Sequence, residues 1–255
     1  MEHVLALTPT QQNQVGAVLN QTALLTQANT LLDTMLDFKD LMLSYSAAIQ
    51  LLRTRMEILD REFSLRYQRN PISHIETRLK SQTSIMEKMG RKGIPITREN
   101  IEENLYDIAG VRVICSYVDD IYLLADALIG QGDIELVERK DYIANPKPNG
   151  YRSLHLIVRV PVHFSDSVKP VYAEIQIRTI AMDFWASLEH QIKYKRAIRD
   201  PERIISQLKE CADVISRTDL MMQSIRKEMD EAQPEKTEAE QIYEKLKRFD
   251  VNLAE

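Results

Sequence analysis

Ile49, Leu52, Met56, Leu59 and Phe63 recur at spacings of 3, 4, 3 and 4 residues. That is the period of one face of an amphipathic helix, and it predicts a helical zone over residues 1–69. The opening third of that zone is rich in Gln, Asn and Thr and is expected to fray. Asn70-Pro71 breaks the pattern, and the period then drops to two. Between 72 and 80, Ile75, Thr77 and Leu79 alternate with His74, Glu76, Arg78 and Lys80, which predicts a strand. Ser73 and Glu76 also fit a helix capping box. A helix follows from Ser81 to Lys92, ended by Gly93. Further on, the pattern predicts a strand from Val111 to Cys115, a helix from Asp119 to Gly130 and a strand from Ile134 to Val137. The run 144–150, ANPKPNG, is a loop. Leu154 to Val160 and Val171 to Ile177 are strands joined as a hairpin, and Thr179 to Tyr194 is a helix. Beyond Pro201, the positions Ile204, Leu208, Cys211, Ile215, Met222 and Ile225 form a rough helical stripe, and the charged stretch 233–255 reads as a loosely held helix or tail. The fold class is therefore α+β: a mixed-sheet core over 70–195, with helical extensions over 1–69 and 196–255.

Composition narrows the function. The chain has 255 residues, 44% hydrophobic and 28% charged, as in ordinary soluble domains. No apolar run approaches the roughly 20 residues of a membrane span, and Met1 to Thr10 lacks the basic flank and apolar core of a secretory signal. Two widely spaced cysteines, Cys115 and Cys211, point to a reducing, cytoplasmic compartment and exclude a disulfide framework or a cysteine-rich zinc site. The net charge of −5 argues against nucleic acid as the main ligand. With only 7 glycines there is no G-x-x-x-x-G-K-[ST] and no G-x-G-x-x-G, so an anionic ligand must be held by a local basic pocket.

Such a pocket has candidate walls. On strand 171–177, extended to Arg178, one parity is apolar (Val171, Ala173, Ile175, Ile177) and the other carries Tyr172, Glu174, Gln176 and Arg178. A face bearing an acid, an amide and a guanidinium is either solvent-exposed or lines a polar cleft. Tyr151 and His155 share a side where the chain leaves the ANPKPNG loop, beside Lys147, Asn149 and Arg152; a ring can stack on a base while cations meet phosphates. Arg78, Lys80, Lys88, Arg91 and Lys92 cluster around the amide-rich helix start at Ser81 to Ser84, which attracts anions; a plain solvated basic face is the competing reading. Asp107, just before an apolar strand that carries Arg112, is a plausible Mg²⁺ ligand, although an acid there is also common turn chemistry. Two acids, at least five cations and one placed aromatic suit phosphoryl-type transfer.

The order of these motifs is more specific than any one of them. Arg78-x-Lys80, Ser84, Lys88 and Arg91-Lys92-Gly93 are followed by Asp107-Ile-Ala-Gly-Val-Arg112, Asp141-Tyr-Ile, Lys147-x-Asn149-Gly150-Tyr151-Arg-Ser-Leu-His155 and Glu174-Ile-Gln-Ile-Arg178-Thr. Over about residues 70–195 the chain resembles the synthetase domain of the RelA/SpoT family, and within it the small alarmone synthetases of RelP type. The resemblance implies a nucleotidyltransferase-like core that moves the β,γ-diphosphate of ATP to the 3′-hydroxyl of GTP or GDP, making (p)ppGpp and AMP. It implies Asp107 and Glu174 as catalytic and Mg²⁺-contacting groups, with Glu174 beside the acceptor hydroxyl. It puts Arg78 and Arg112 on adenine, and Lys80, Ser84, Lys88 and Arg91 on the ATP phosphates. Tyr151 would stack on guanine with Asn149 and His155 nearby, Lys140 and Lys147 would meet the acceptor phosphates, and Gln176 and Arg178 would support the site. It also implies a homotetramer built through the terminal apolar stripes, which would equally serve to cover the sheet within one monomer.

Arg152 stands where many long members carry Gln, and it is expected to bear on the choice between GTP and GDP. Glu189 and Lys193, at i and i+4, read as a helix surface pair. Two other functions fit the same inventory of residues. A nucleotidyltransferase would release pyrophosphate, and a nucleotide sensor or RNA-binding module would bind without turnover.

Overall fold

The computed structural model describes residues 9–67, 69–194 and 200–232, with side chains over 24–67, 69–192 and 200–232. Five strands form one mixed sheet in the order β1-β2-β5-β4-β3. They are β1 (Ile72–Leu79), β2 (Ala109–Cys115), β3 (Glu135–Asp141), β4 (Leu154–His163) and β5 (Val168–Thr179). Only the central β2–β5 pair is parallel; β1–β2, β3–β4 and β4–β5 are antiparallel. The expected hairpin is thus present, with both strands longer than the apolar runs that announced them.

One helix, α1 (Pro9–Tyr67), occupies the described part of the N-terminal zone up to Tyr67. Its stripe Ile49, Leu52, Met56, Leu59 and Phe63 is buried against the apolar face of the sheet, where Val111, Val113, Leu156, Val158, Ala173 and Ile175 close the core. The same 3-and-4 spacing extends upstream through Tyr45, Met42, Phe38, Met35, Leu31, Ala28 and Leu24. Tyr45 is buried, Phe38 and Met42 are partly so, and the rest lies beyond the edge of the core. Helix α4 (Val118–Ile129) packs in the same cluster through Ile121, Leu124, Ala125 and Leu128.

Helix α2 (Gln82–Lys92) begins at Ser81, whose hydroxyl accepts from the Ser84 amide at 3.3 Å, and ends at Gly93 with φ 67°. That left-handed C-cap suits a residue without Cβ. The strand reading of 72–79 holds over the capping-box alternative, but Leu79 is exposed rather than in the core. β1 is an edge strand, and Ile72 and Ile75 carry its packing around a bulge between residues 72 and 74. Helix α3 (Arg98–Asn104) was not foreseen: it buries only Ile101 and so presents no stripe. Helices α5 (Ile180–Tyr194) and α6 (Pro201–Glu231) join through a small cluster of Trp185, Ala186 and Ala212 with Tyr151, Leu208 and Ile215 against it. The expected tail 233–255 lies outside the described residues. Cys115 is buried, Cys211 is exposed, and both are free thiols.

Candidate active site

The polar parity of the central strands forms the floor of the site. Register sets Glu76 opposite Arg112, Arg112 opposite Gln176, Gln176 opposite His155 and His155 opposite Lys140. The next row runs Arg78, Gly110, Glu174 and Ile157. Because side chains alternate across a strand, these residues share the face turned away from α1. Above them lies a cleft of about 470 Å³ lined by Arg78, Lys80, Asp107, Arg112, Glu174 and Gln176 among others. Gly110 keeps its floor low between Arg78 and Glu174.

Asp107 precedes β2 at the mouth of this cleft. Its Oδ2 accepts from Lys80 Nζ at 2.5 Å and pairs with Lys88 Nζ at 2.8 Å. Burial pushes the Asp107 carboxyl up, but the two lysines outweigh it and hold the group below the ordinary carboxylate range. Oδ1 of the same carboxylate is buried without a hydrogen-bond partner. Arg112 Nη1 lies 3.0 Å from Glu76 and 3.6 Å from Asp183. Arg78 is exposed and makes no ion pair among the described residues, so its guanidinium plane is free.

Glu174 is held from two sides. His155 Nδ1 lies 2.9 Å from Oε1, and Gln176 donates to Oε2 at 3.1 Å. Burial pushes the Glu174 carboxyl up, and the contact with His155 followed by the Gln176 bond brings it below its ordinary value. Behind His155, its Nε2 is 2.8 Å from the Tyr151 hydroxyl, which accepts from Arg178 Nη2 at 2.6 Å. Arginine only donates. The Tyr151 proton is therefore available to His155 Nε2, and this order of donors puts the imidazole N–H on Nδ1, facing Glu174. Arg178 itself is buried, donating further to Asp183, Gln176 and Ser153.

Beside Tyr151 lies an aromatic corner. Tyr142 stands edge-on to Tyr151 and His155, and Lys147 Nζ sits over both tyrosine rings at 4.5 and 4.9 Å. Asn149 donates to Glu189 at 3.0 Å and accepts from the Tyr151 amide. Glu189 is thus buried beneath the loop, and the Lys193 side chain of the expected pair lies outside the described residues. Arg152 is held on the far side of the loop. It donates to the carbonyls of Gly150 and Ala212 and pairs with Asp213 at 3.0 Å, so it clamps the loop to α6 and does not face the cleft.

Most of the residues expected from the sequence therefore converge. Arg78, Lys80, Asp107, Arg112, Glu174 and Gln176 line the cleft, Lys88 is held to it through Asp107, and His155, Tyr151, Arg178 and Lys147 join it from the hairpin side. Ser84 and Arg91 are not among the residues that line the cleft, and the Ser84 amide is already used by the cap. Lys140 is paired with Glu138 at 2.8 Å, a contact that raises its pKa. Glu76, Asp183, Tyr142 and Glu189 were not assigned roles; Tyr142 sits in the Asp141-Tyr-Ile motif, and strand parity puts Glu76 beside Arg78.

A mixed sheet with two carboxylates and several cations in one cleft defines a nucleotide-handling α+β enzyme core. The family model described as "Region found in RelA / SpoT proteins" matches residues 77–199. The chain is 47% identical over 205 residues to the GTP pyrophosphokinase YwaC of Bacillus subtilis (strain 168), covering 80% of this chain and 98% of that protein. The structure of small alarmone synthetase 2 from Bacillus subtilis matches with a TM-score of 0.68 at 46% identity, covering 75% of this chain and 99% of the other. Small alarmone synthetase 1 from Bacillus subtilis, bound to its product pppGpp, matches with a TM-score of 0.68 at 36% identity over 75% and 97% of the two chains. The chain belongs to the RelA/SpoT family.

Proposed function

We propose that the chain is a GTP pyrophosphokinase that transfers the β,γ-diphosphate of ATP to the 3′-hydroxyl of GTP or GDP, forming (p)ppGpp and AMP. The observation that carries the reading is that Asp107 and Glu174 line one cleft with free or exchangeable cations on its walls. The names of the relatives, both those that make alarmone and the one that holds it, point the same way.

The chemistry required is attack of the guanosine 3′-oxygen on the β-phosphorus of ATP. One P–O bond forms, the bond to the α-phosphate oxygen breaks, and AMP leaves with its electron pair. Glu174, ionised and fixed by His155 and Gln176, accepts the hydrogen bond of the 3′-hydroxyl and takes up its proton as the bond forms. Lys80 and Lys88, now on Asp107, have phosphate oxygens as alternative anions once ATP enters, and neutralise charge on the transferred group. The planar guanidinium groups of Arg78 and Arg112 suit stacking on adenine. Tyr151, with Tyr142 and Lys147 at its edge, offers the ring for guanine, while Asn149 shapes the loop beneath it.

The donor set fits Mg²⁺. The unpartnered Asp107 Oδ1 is a hard oxygen already desolvated. Mg²⁺ is commonly held by one or two carboxylates plus substrate phosphates, and among the described residues no larger cluster of His, Cys, Asp and Glu competes. Asp107, with Glu174 across the cleft, would hold the ion, which would supply neutralisation of the phosphate charge when bound. Two free thiols and described helices too short or polar to cross a membrane support a cytoplasmic place of work. Exposed apolar residues on α1 and α6 support assembly into a homotetramer.

The test is incubation with ATP, GTP and Mg²⁺ followed by anion-exchange chromatography. AMP and a guanosine pentaphosphate in equal amounts are expected. Pyrophosphate without AMP would make the chain a nucleotidyltransferase, and bound nucleotide without product would make it a sensor.

A further inference from the structure

β5 outruns its neighbour. It begins at Val168, whereas β2 begins at Ala109 opposite Ala173, so residues 168–172 have no strand on that side. Helices α1 and α3 wall the notch that results, a cavity of about 250 Å³ lined by Leu41, Tyr45, Glu102, Glu103, Tyr106 and Tyr172 among others. It shares no lining residue with the catalytic cleft. Tyr45 is only 2% exposed, yet its hydroxyl makes no hydrogen bond among the described residues. A buried phenol ordinarily has a partner. Nor is the oxygen sealed off by packing, so it is reachable from the notch. Burial, and after it the charge of Glu102, push the phenol's pKa up, which keeps it neutral and puts that carboxylate in its neighbourhood.

We propose that this notch binds a small organic ammonium ion on a short aliphatic stem, an alkylamine or diamine. The lining selects that chemistry. Carboxylates only accept hydrogen bonds, and Ser44, another lining residue, already donates its hydroxyl proton to the Asp40 carbonyl at 3.2 Å, which leaves it accepting. Arg159, the one strong donor in the lining, is paired with Glu135. Glu102 is paired with Arg98 at 3.3 Å, but Glu103 makes no ion pair among the described residues, so the notch carries an uncompensated negative charge. That charge repels phosphates and attracts a cation. The rings of Tyr106 and Tyr172, 4.6 Å apart, add π-density that favours the same sign, while Leu41, Pro170 and Val171 offer an apolar wall for a carbon stem. A bare divalent metal fits less well. Glu102 and Glu103 are successive on α3 and do not face each other, and no cluster of three metal-ligating side chains occurs among the described residues. The volume lies below the roughly 300–1,000 Å³ of pockets for larger ligands, which suits a stem of a few carbons. The proposal stands on the notch alone and on no reading of the cleft.

The test uses the full chain and n-butylammonium chloride, with n-butanol as the uncharged control. Saturation-transfer NMR is expected to show saturable binding of the amine and none of the alcohol at the same concentrations. Glu103→Gln changes an exposed, unpaired side chain and is expected to raise the Kd by about tenfold or more, the loss of one charge-assisted contact. Tyr45→Phe deletes an oxygen that no protein group uses, so the thermal melt should hold while the Kd rises about fivefold. No saturable binding, butanol binding as tightly as the amine, or a Kd that either substitution leaves unmoved overturns the proposal.

Discussion

Arg178 reaches Glu174 by two separate hydrogen-bonded routes. One passes through Gln176, with links of 2.8 and 3.1 Å. The other passes through the Tyr151 hydroxyl and the His155 ring, with links of 2.6, 2.8 and 2.9 Å. The buried guanidinium thus fixes both oxygens of the carboxylate while touching neither. The tyrosine is part of this ring through its hydroxyl and presents its aromatic face separately.

That separation gives the first prediction. Tyr151→Phe keeps the ring for stacking but cuts the route through His155. Loss of one charge-assisted link of about 1–2 kcal/mol corresponds to roughly a tenfold fall in kcat, with KM for GTP within about threefold of the parent. Steady-state kinetics decide it. A large rise in KM with kcat intact would mean that the hydroxyl serves binding and not the positioning of Glu174.

Asp107→Asn tests the other carboxylate. The amide is isosteric, so the fold should survive, as the thermal melt would register. Lys80 and Lys88 would lose their charged partner, and the desolvated Oδ1 its place as a metal donor. A fall in turnover of at least ~10²-fold is expected, by comparison with removal of a single preorganised group. Near-normal turnover in a folded variant would remove Asp107 from the mechanism.

How far the sequence alone carried the reading follows from periodicity. β4 and β5 alternate strictly, so their buried and polar faces, and hence the company of Glu174, Gln176 and His155, were legible. Helix α3 was not, because a helix with a single buried residue has no period; its cap at Thr97, which accepts from the Asn100 amide, was the available signal. The contacts that Arg152 and Glu189 make were not legible for a common reason. Both are polar residues whose partners lie on elements distant in sequence, α6 for one and the 144–150 loop for the other, and no local pattern encodes such pairings. The upstream half of the α1 stripe was present in the spacing but lay in a segment whose Gln and Asn content suggested fraying.

Gly150 supplies a test of the loop and α6 together. Its φ is +91°, and a Cβ there would stand 2.6 Å from the Ala212 Cβ and 3.2 Å from the Lys209 Cα. The obstacle is helix backbone as well as side chain, so it cannot swing aside. Gly150→Ala is expected to cost about 2–4 kcal/mol, from left-handed strain plus overpacking, and to loosen the Arg152 clamp next to it. Denaturant unfolding would measure it; a loss below about 1 kcal/mol would mean that α6 is free to shift.

Asp219 gives the pH dependence. This buried α6 carboxyl meets the Thr179 hydroxyl at 2.6 Å, with no cation in hydrogen-bond contact. Burial raises its pKa above the ordinary 3.8, and the Thr179 bond offsets that only in part. The folded chain therefore holds the proton more tightly than the unfolded one. Asp219's contribution to stability is full below pH 3.8 and is lost as pH rises through the higher folded value. Above the ordinary carboxylate range the raised pKa is a cost to the folded state, and Asp219→Asn, which can still accept from Thr179, removes that cost. The variant should gain on the order of 1 kcal/mol at pH 7, or about 2–4 °C in Tm, and the gain should shrink toward zero as the buffer is taken down to pH 3.8. Melts across that range check both parts. A gain that persists unchanged in acid would assign it to packing, and a loss at pH 7 would show that the ionised carboxylate is the form the α5–α6 junction requires.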